Sequence, residues 1–179
     1  KRYHCGLFRK INRALEKLVL DKARYIISVS EARKAELIAS FPEIVSKKHV
    51  VITNGFDSQD IAIKNNGRFD KLTFIHAGTL YSNDGIDDFL VSFLEIMRMH
   101  PELRQKMHAL FLGSRPALEE FDELERIGAV SHQHRVARSE CLAMVAKAHV
   151  PLIFLKNDTV YSGCITSKLF ECMMLKKPV

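Results

Sequence analysis

The strongest constraint on this chain is a rhythm between residues 72 and 155, where short continuous apolar runs alternate with amphipathic stretches. The runs are Leu72-Thr73-Phe74-Ile75, Ala109-Leu110-Phe111-Leu112 and Val150-Pro151-Leu152-Ile153-Phe154-Leu155, with a weaker one over 130–136. A strand that is apolar on every residue has no face to give to water, so it belongs in a parallel sheet covered on both sides. Between the runs, apolar residues at 86, 89, 90, 93, 94 and 97 recur at helical spacing, and helices are also expected over 117–127 and 139–148. Strand and helix in alternation define an α/β chain with a doubly wound, Rossmann-like parallel sheet and helices on both faces. Ligands of such sheets bind beyond the carboxyl ends of the strands, so the loops starting at Gly78, Gly113, Val136 and Lys156 are expected along one edge.

The first third reads differently. Leu7, Ile11, Leu15, Leu18 and Val19 mark a helix over 7–22, and residues 25–29 read as a buried strand. Ser30 is placed to cap a helix over 31–40 that Pro42 ends; 49–52 is a further strand, and Asn54-Gly55 turns the chain. Residues 1–56 supply too few elements for a domain and are read as the end of a preceding one. The polar stretch 57–70 is read as a linker, and 71–179 as a second domain. Lys177-Pro178-Val179 reads as the approach to another buried strand, so the fold is expected to be incomplete at both ends.

A formal charge of +6 asks for an anionic partner, and the excess is concentrated before residue 25. Nucleic acid is disfavoured, because Phe41, Phe56 and Phe69 are too scattered to form a stacking platform. Four cysteines without a Cys-x-x-Cys pair, and no apolar run near the ~20 residues of a membrane span, point to reduced thiols in a cytoplasmic protein. His132 and His134 alternate as a metal pair or a solvated strand edge would. Asp87 and Asp88 suit a helix's first turn, and His76 fits a core position better than a substrate contact.

The segment from Ser162 to Glu171 carries the most chemistry. It sets a polar loop after a strand and then opens a helix at Ser167, where unpaired amides and the helix dipole favour a phosphate. Lys168 adds a charge, and Glu171, one turn in, is placed to accept hydrogen bonds from sugar hydroxyls. The simpler local alternative is that Ser167 caps the helix while Glu171 completes a capping box or pairs with Lys168.

Four segments in order resemble the glycosyltransferase group 1 family, the retaining enzymes of GT-B fold. They are YIISVSEARKAEL (25–37), HVVITNGFD (49–57), HAGTLYSNDGIDDFLVSF (76–93) and SKLFECMMLKKPV (167–179). The resemblance implies that Glu171 binds ribose hydroxyls and that Ser167, Lys168 and Leu169 hold a diphosphate. It implies further that Gly78 and Thr79 turn beside the phosphates, that Val136 and Ala137 pack on the base, and that Gly113 and Ser114 line the cleft. It implies sugar transfer, of hexosyltransferase type, from a nucleoside diphosphate-sugar to a glycan or lipid-linked acceptor, as in bacterial-type polysaccharide or glycolipid synthesis. No metal or cofactor is implied. The catalytic histidine and acceptor loops belong to the first domain, so no catalytic residue is assigned here and the chain alone is expected to be inactive.

Peripheral contact with the inner face of the cell membrane through residues 1–22 is a further expectation. Three positions depart from the family pattern: Gly163 replaces a glutamate, Thr79 an arginine and Asp84 a lysine. Arg115, Lys156 and Lys168 are the candidate replacement cations. The alternative reading is a non-catalytic nucleotide-binding or scaffolding module that kept the fold.

Overall fold

The computed structural model describes residues 6–57, 59, 67–80, 85–155, 163 and 165–178. The chain forms two compact units, Lys1–Asn54 with Ser162–Ile165, and Gly55–Tyr161 with Thr166–Val179. Of the expected linker at 57–70, residues 58 and 60–66 lie outside the described residues.

In the first unit, helix α1 (Gly6–Lys22) leads into strand β1 (Tyr25–Ser28). Helix α2 (Glu31–Ser40) and a 3-10 turn (Pro42–Ser46) then return the chain to β2 (Lys48–Val51), which pairs parallel with β1. Ser30 caps α2 as its sequence suggests, its Oγ accepting from the Arg33 amide at 3.2 Å. Leu20, Ile26, Phe41 and Ile44 form the core. The expectation of a buried first strand holds for one face: Ile26 and Ser28 are buried, but Tyr25 and Ile27 are exposed, because α2 and the turn cover one face only.

Helix α1 also inverts the usual arrangement. It is fastened by its basic side, with Arg13 donating to the Ser40 carbonyl at 2.8 Å and lying over the Phe41 ring, and Lys17 pairing with Glu43 at 3.0 Å. Its apolar row of Leu7, Ile11, Leu15 and Leu18 faces outward, each 45% or more exposed.

The second unit is built on four parallel strands in the order β5-β4-β3-β6. They are β3 (Leu72–Gly78), β4 (Met107–Gly113), β5 (Val130–Gln133) and β6 (Val150–Pro151). Helices α3 (Ile86–Met99), α4 (Glu119–Arg126), α5 (Arg138–Lys147) and α6 (Ser167–Met174) follow them in turn. Strand alternation sorts the core into two layers. Phe74, Ala109 and Phe111 meet Leu90, Phe93 and Met97 of α3 and Phe121 and Leu124 of α4. Ile75, Leu110 and Leu112 meet Val145 and Met144 of α5, with Leu175 after α6. Helices therefore cover both faces, as the apolar strands require.

The chain steps outward from β3 to β4 to β5 and then crosses back to lay β6 on the other side of β3. That reversal puts α5 on the opposite face from α3 and α4. Pro151, which has no amide hydrogen to give, stands in an edge strand. Two expected strands are shorter than read: 130–136 keeps only Val130–Gln133, and 150–155 keeps Val150–Pro151 with one further bond from the Leu152 amide to the Ile75 carbonyl.

Phe111, fully buried and edge-on to Phe121 at 5.4 Å, ties the sheet to α4. Phe111→Ala is expected to cost about 3–5 kcal/mol in urea unfolding followed by circular dichroism. Leu15→Gln on the outward row is expected to stay within about 0.5 kcal/mol of wild type.

Candidate functional site at the carboxyl edge of the sheet

Strands β3 and β4 end level, with Gly78 opposite Gly113. Both glycines have positive φ, +133° and +105°, where a side chain is strained. A Cβ on Gly113 would lie 2.8 Å from the Gly78 carbonyl oxygen, which also accepts from the Ser114 amide at 3.1 Å. A Cβ on Gly78 would lie 2.9 Å from Lys168 Nζ. The two bare backbones therefore pass close together and let the Lys168 ammonium lie against the end of β3.

Beside this contact a cleft of about 600 Å³ opens within the second unit. Of the residues named from sequence, Gly78, Thr79, Gly113, Ser114, Val136, Ser167, Lys168 and Glu171 line it. Ala137 and Leu169 do not. Ala137 serves instead as the N-cap of α5, its carbonyl accepting from the Cys141 amide, and the Leu169 amide is drawn back to the Thr166 carbonyl at 3.2 Å. Ala77, Leu112, Arg135, Arg138, Cys141 and Leu142 complete the described wall and were not foreseen. Three basic residues against one carboxylate make the wall a place for an anion.

The start of α6 also differs from the sequence reading. Thr166, not Ser167, is the N-cap, and no side chain caps the helix. Glu171 neither closes a capping box nor pairs with Lys168: its Oε1 accepts from Arg138 Nη1 at 2.8 Å, across 33 residues of sequence. Helix geometry leaves first-turn amides without intrahelical acceptors, and here Ser167 and Lys168 hold that position at the cleft.

The proposed replacement cations fare unequally. Lys168 is at the cleft, whereas Arg115 is turned onto α4, pairing with Asp122 at 2.7 Å and Glu125 at 2.8 Å and lying over Phe121. Lys156 and Asp84 lie outside the described residues. Gly163 has φ +77°, and a Cβ there would meet the Ala32 Cβ at 2.5 Å.

Other candidates resolve into structure. His132 Nε2 lies 3.0 Å from the Gly113 carbonyl, so that nitrogen carries the hydrogen and donates; no metal-holding cluster occurs among the described residues. Asp87 and Asp88 are exposed in the first turn of α3, complementing its dipole. No helix among the described residues is long and apolar enough to cross a membrane. Burial first, and then Glu171, raises the Cys141 and Cys172 thiols above their ordinary range, so neither is poised as a thiolate.

His76 is a core residue, 1% exposed between Phe111 and Phe154. Its Nδ1 lies 3.1 Å from the Leu152 carbonyl and so carries the hydrogen, leaving Nε2 a buried acceptor without a partner among the described residues.

The comparisons fit this geometry. No family model and no curated protein sequence matches the chain. Solved structures do. A trehalose-6-phosphate synthase studied for enzymatic glycosyltransfer with retention and a trehalose-6-phosphate protein from E. coli bound with UDP-2-fluoro glucose each align at a TM-score of 0.64 and 10% identity. Each alignment covers 89% of this chain and 45% of the other. The GtfA/B complex aligns at 0.59 and 17% identity, over 97% of this chain and 32% of that one. The fold is therefore that of GT-B glycosyltransferases, and the chain spans less than half the length of these proteins.

Burial, reinforced by Lys168, lowers the His76 pKa to about 4, below its ordinary 6.5. The folded state thus binds fewer protons than the unfolded one between those values. Stability is full above pH 6.5 and falls as pH drops toward 4, by roughly 3 kcal/mol if the whole shift is realised. Chemical denaturation across pH 3.5–7.5 is expected to show this slope in wild type and a shallower one in His76→Phe.

Proposed function

We propose that the second unit binds a nucleoside diphosphate-sugar and that the protein is a retaining glycosyltransferase. One observation carries the reading: residues from four separated segments, Gly78-Thr79, Gly113-Ser114, Val136, and Ser167, Lys168 and Glu171, meet in a single cleft at the carboxyl edge of the sheet. The GT-B fold and a structural neighbour whose ligand is UDP-2-fluoro glucose support the same ligand class.

In this reading the diphosphate lies at the opening of α6. The amides of Ser167 and Lys168 and the helix dipole meet its charge there, and the Lys168 ammonium adds a point charge beside Gly78. Glu171 takes the ribose hydroxyls, and the segment between β5 and α5 at Val136 takes the base. Catalysis then consists of holding the donor while its sugar C1–O bond to the diphosphate breaks. The departing negative charge is stabilised by donors already in position, and the acceptor hydroxyl bonds to C1 through its oxygen on the face just vacated while its proton passes to the departing diphosphate. The acceptor is a glycan or lipid-linked hydroxyl. The 179-residue chain by itself is expected to hold donor without turning it over.

The outward apolar row of α1 supports peripheral contact with an anionic membrane surface, with Arg9 and Lys10 on the same helix. Flotation with vesicles with and without phosphatidylglycerol checks this; equal partitioning removes it.

Calorimetric titration with UDP, GDP and ADP is expected to find one that binds and a loss of about 10–100-fold in Glu171→Ala, the worth of charge-assisted hydrogen bonds. If none of the three binds, or both proteins bind alike, the site assignment fails. Binding without sugar-nucleotide turnover by the full-length protein, in the presence of glycan and lipid-linked acceptors, selects the scaffolding reading instead.

A further inference from the structure

The three cations of the described cleft wall are not equivalent. Arg138 pairs with Glu171, and the Lys168 ammonium lies against the Gly78 end of β3. Arg135 stands apart. It is exposed, it sits on the segment between β5 and α5, and it makes no hydrogen bond or ion pair with any described residue. An exposed loop cation without a partner adds almost nothing to folding, so stability does not account for an arginine at this point of the wall.

Sheet order says what part of a ligand it meets. β4 lies between β3 and β5, so the ends of β3 and β5 stand about 10 Å apart, two interstrand spacings. A diphosphate at the opening of α6, beside β3, does not bridge that gap. The nucleoside attached to it does, and its far end is the base. The wall there is apolar, with Val136 next to Arg135 in sequence and Leu142 on α5, a lining suited to the face of a flat ring.

The edge of the ring is then left to Arg135. A guanidinium is planar, permanently charged, and carries five donors and no acceptor. It bonds to a ring carbonyl and has nothing to offer an exocyclic amino group. Uracil and guanine present a carbonyl where cytosine and adenine present an amino group. Guanine adds a ring nitrogen beside its carbonyl and so matches the fork twice.

We propose that Arg135 is a specificity-determining residue that selects a keto base, uracil or guanine, over the amino bases cytosine and adenine. This rests on the donor-site reading above. With an amino base, donor faces donor, and the guanidinium loses water without gaining an acceptor.

The test measures the affinity of the full-length protein for UDP against CDP and for GDP against ADP. Each pair holds ring size constant, and the two pairs separate a pyrimidine site from a purine site. In the pair that binds, wild type is expected to favour the keto member by tenfold or more. Arg135→Met is expected to bring that ratio within threefold of unity by weakening the keto nucleotide alone. Arg135→Lys, which keeps the charge and loses the fork, is expected to fall between. A wild-type ratio near unity overturns the proposal, as does an unchanged ratio in Arg135→Met. Equal loss of both members of a pair overturns it too, because Arg135 then acts as a general charge. If Glu171→Ala still weakens binding while the base ratio stays at unity, this proposal fails and the donor site stands. Failure of every nucleotide to bind wild type sinks both. Melting temperatures accompany each variant, and if Arg135→Met does not fold, Arg135→Lys decides by the same ratio.

Discussion

Everything at the cleft depends on two glycines lying side by side without side chains. Because β3 and β4 run parallel and in register, Gly78 and Gly113 reach the sheet edge together. The Gly78 carbonyl then sits so close to Gly113 that a methyl group would overlap it. This approach narrows the edge to bare backbone, and the space released is filled by Lys168. A larger residue at either position would displace the ammonium or part the strands. The floor of the site is therefore fixed by sheet register before any binding residue is considered, and α6 meets a rigid surface.

The direction of the chain accounts for where the floor opens. Parallel strands joined by helices can grow to either side, and a helix takes the face that its handed crossover dictates. Here the growth β3, β4, β5 reverses to β6, so α5 crosses to the face opposite α3 and α4. Connections leave the crevice at such a reversal uncovered. The loop after β3 borders it, and the helix following β6 points its first turn toward Gly78. Sheet topology and the position of α6 are thus one fact viewed twice.

The legible part of this arrangement is the part governed by local periodicity. Continuous apolar runs at 72–75 and 109–112 required helices on both faces, and the helical spacing at 86–97 located the largest core helix. The site's glycines, its lysine and Glu171 were also readable, from a resemblance spread over separated motifs. What stayed hidden depends on tertiary partners. Arg138 appears in sequence only as a cation near Val136, and its meeting with Glu171 exists because α5 and α6 converge. The helical spacing of Leu7, Ile11 and Leu15 does not say which side is covered, although amphipathic helices ordinarily bury the apolar one. The fixing of α1 by Arg13 and Lys17 reverses it. The cap of α6 moved by one residue because Ser and Thr adjoin at 166–167 and local sequence does not choose between them.

The glycine at 163 bears on whether its departure from the family pattern is decay or design. A site that merely lost a carboxylate would keep room for one. Here the residue is left-handed, its Cβ direction is filled by Ala32, and its carbonyl accepts from Ser30 Oγ at 2.9 Å while Ser30 also caps α2. Nearby, Asn54 Nδ2 donates to the Ile165 carbonyl at 2.9 Å. The backbone on either side of 164 is thus committed to hydrogen bonds of the first unit, and a glutamate at 163 would have to break them to enter. The backbone at 163 therefore requires glycine. Among the described residues of the cleft wall, Glu171 is the one acid, set against Arg135, Arg138 and Lys168.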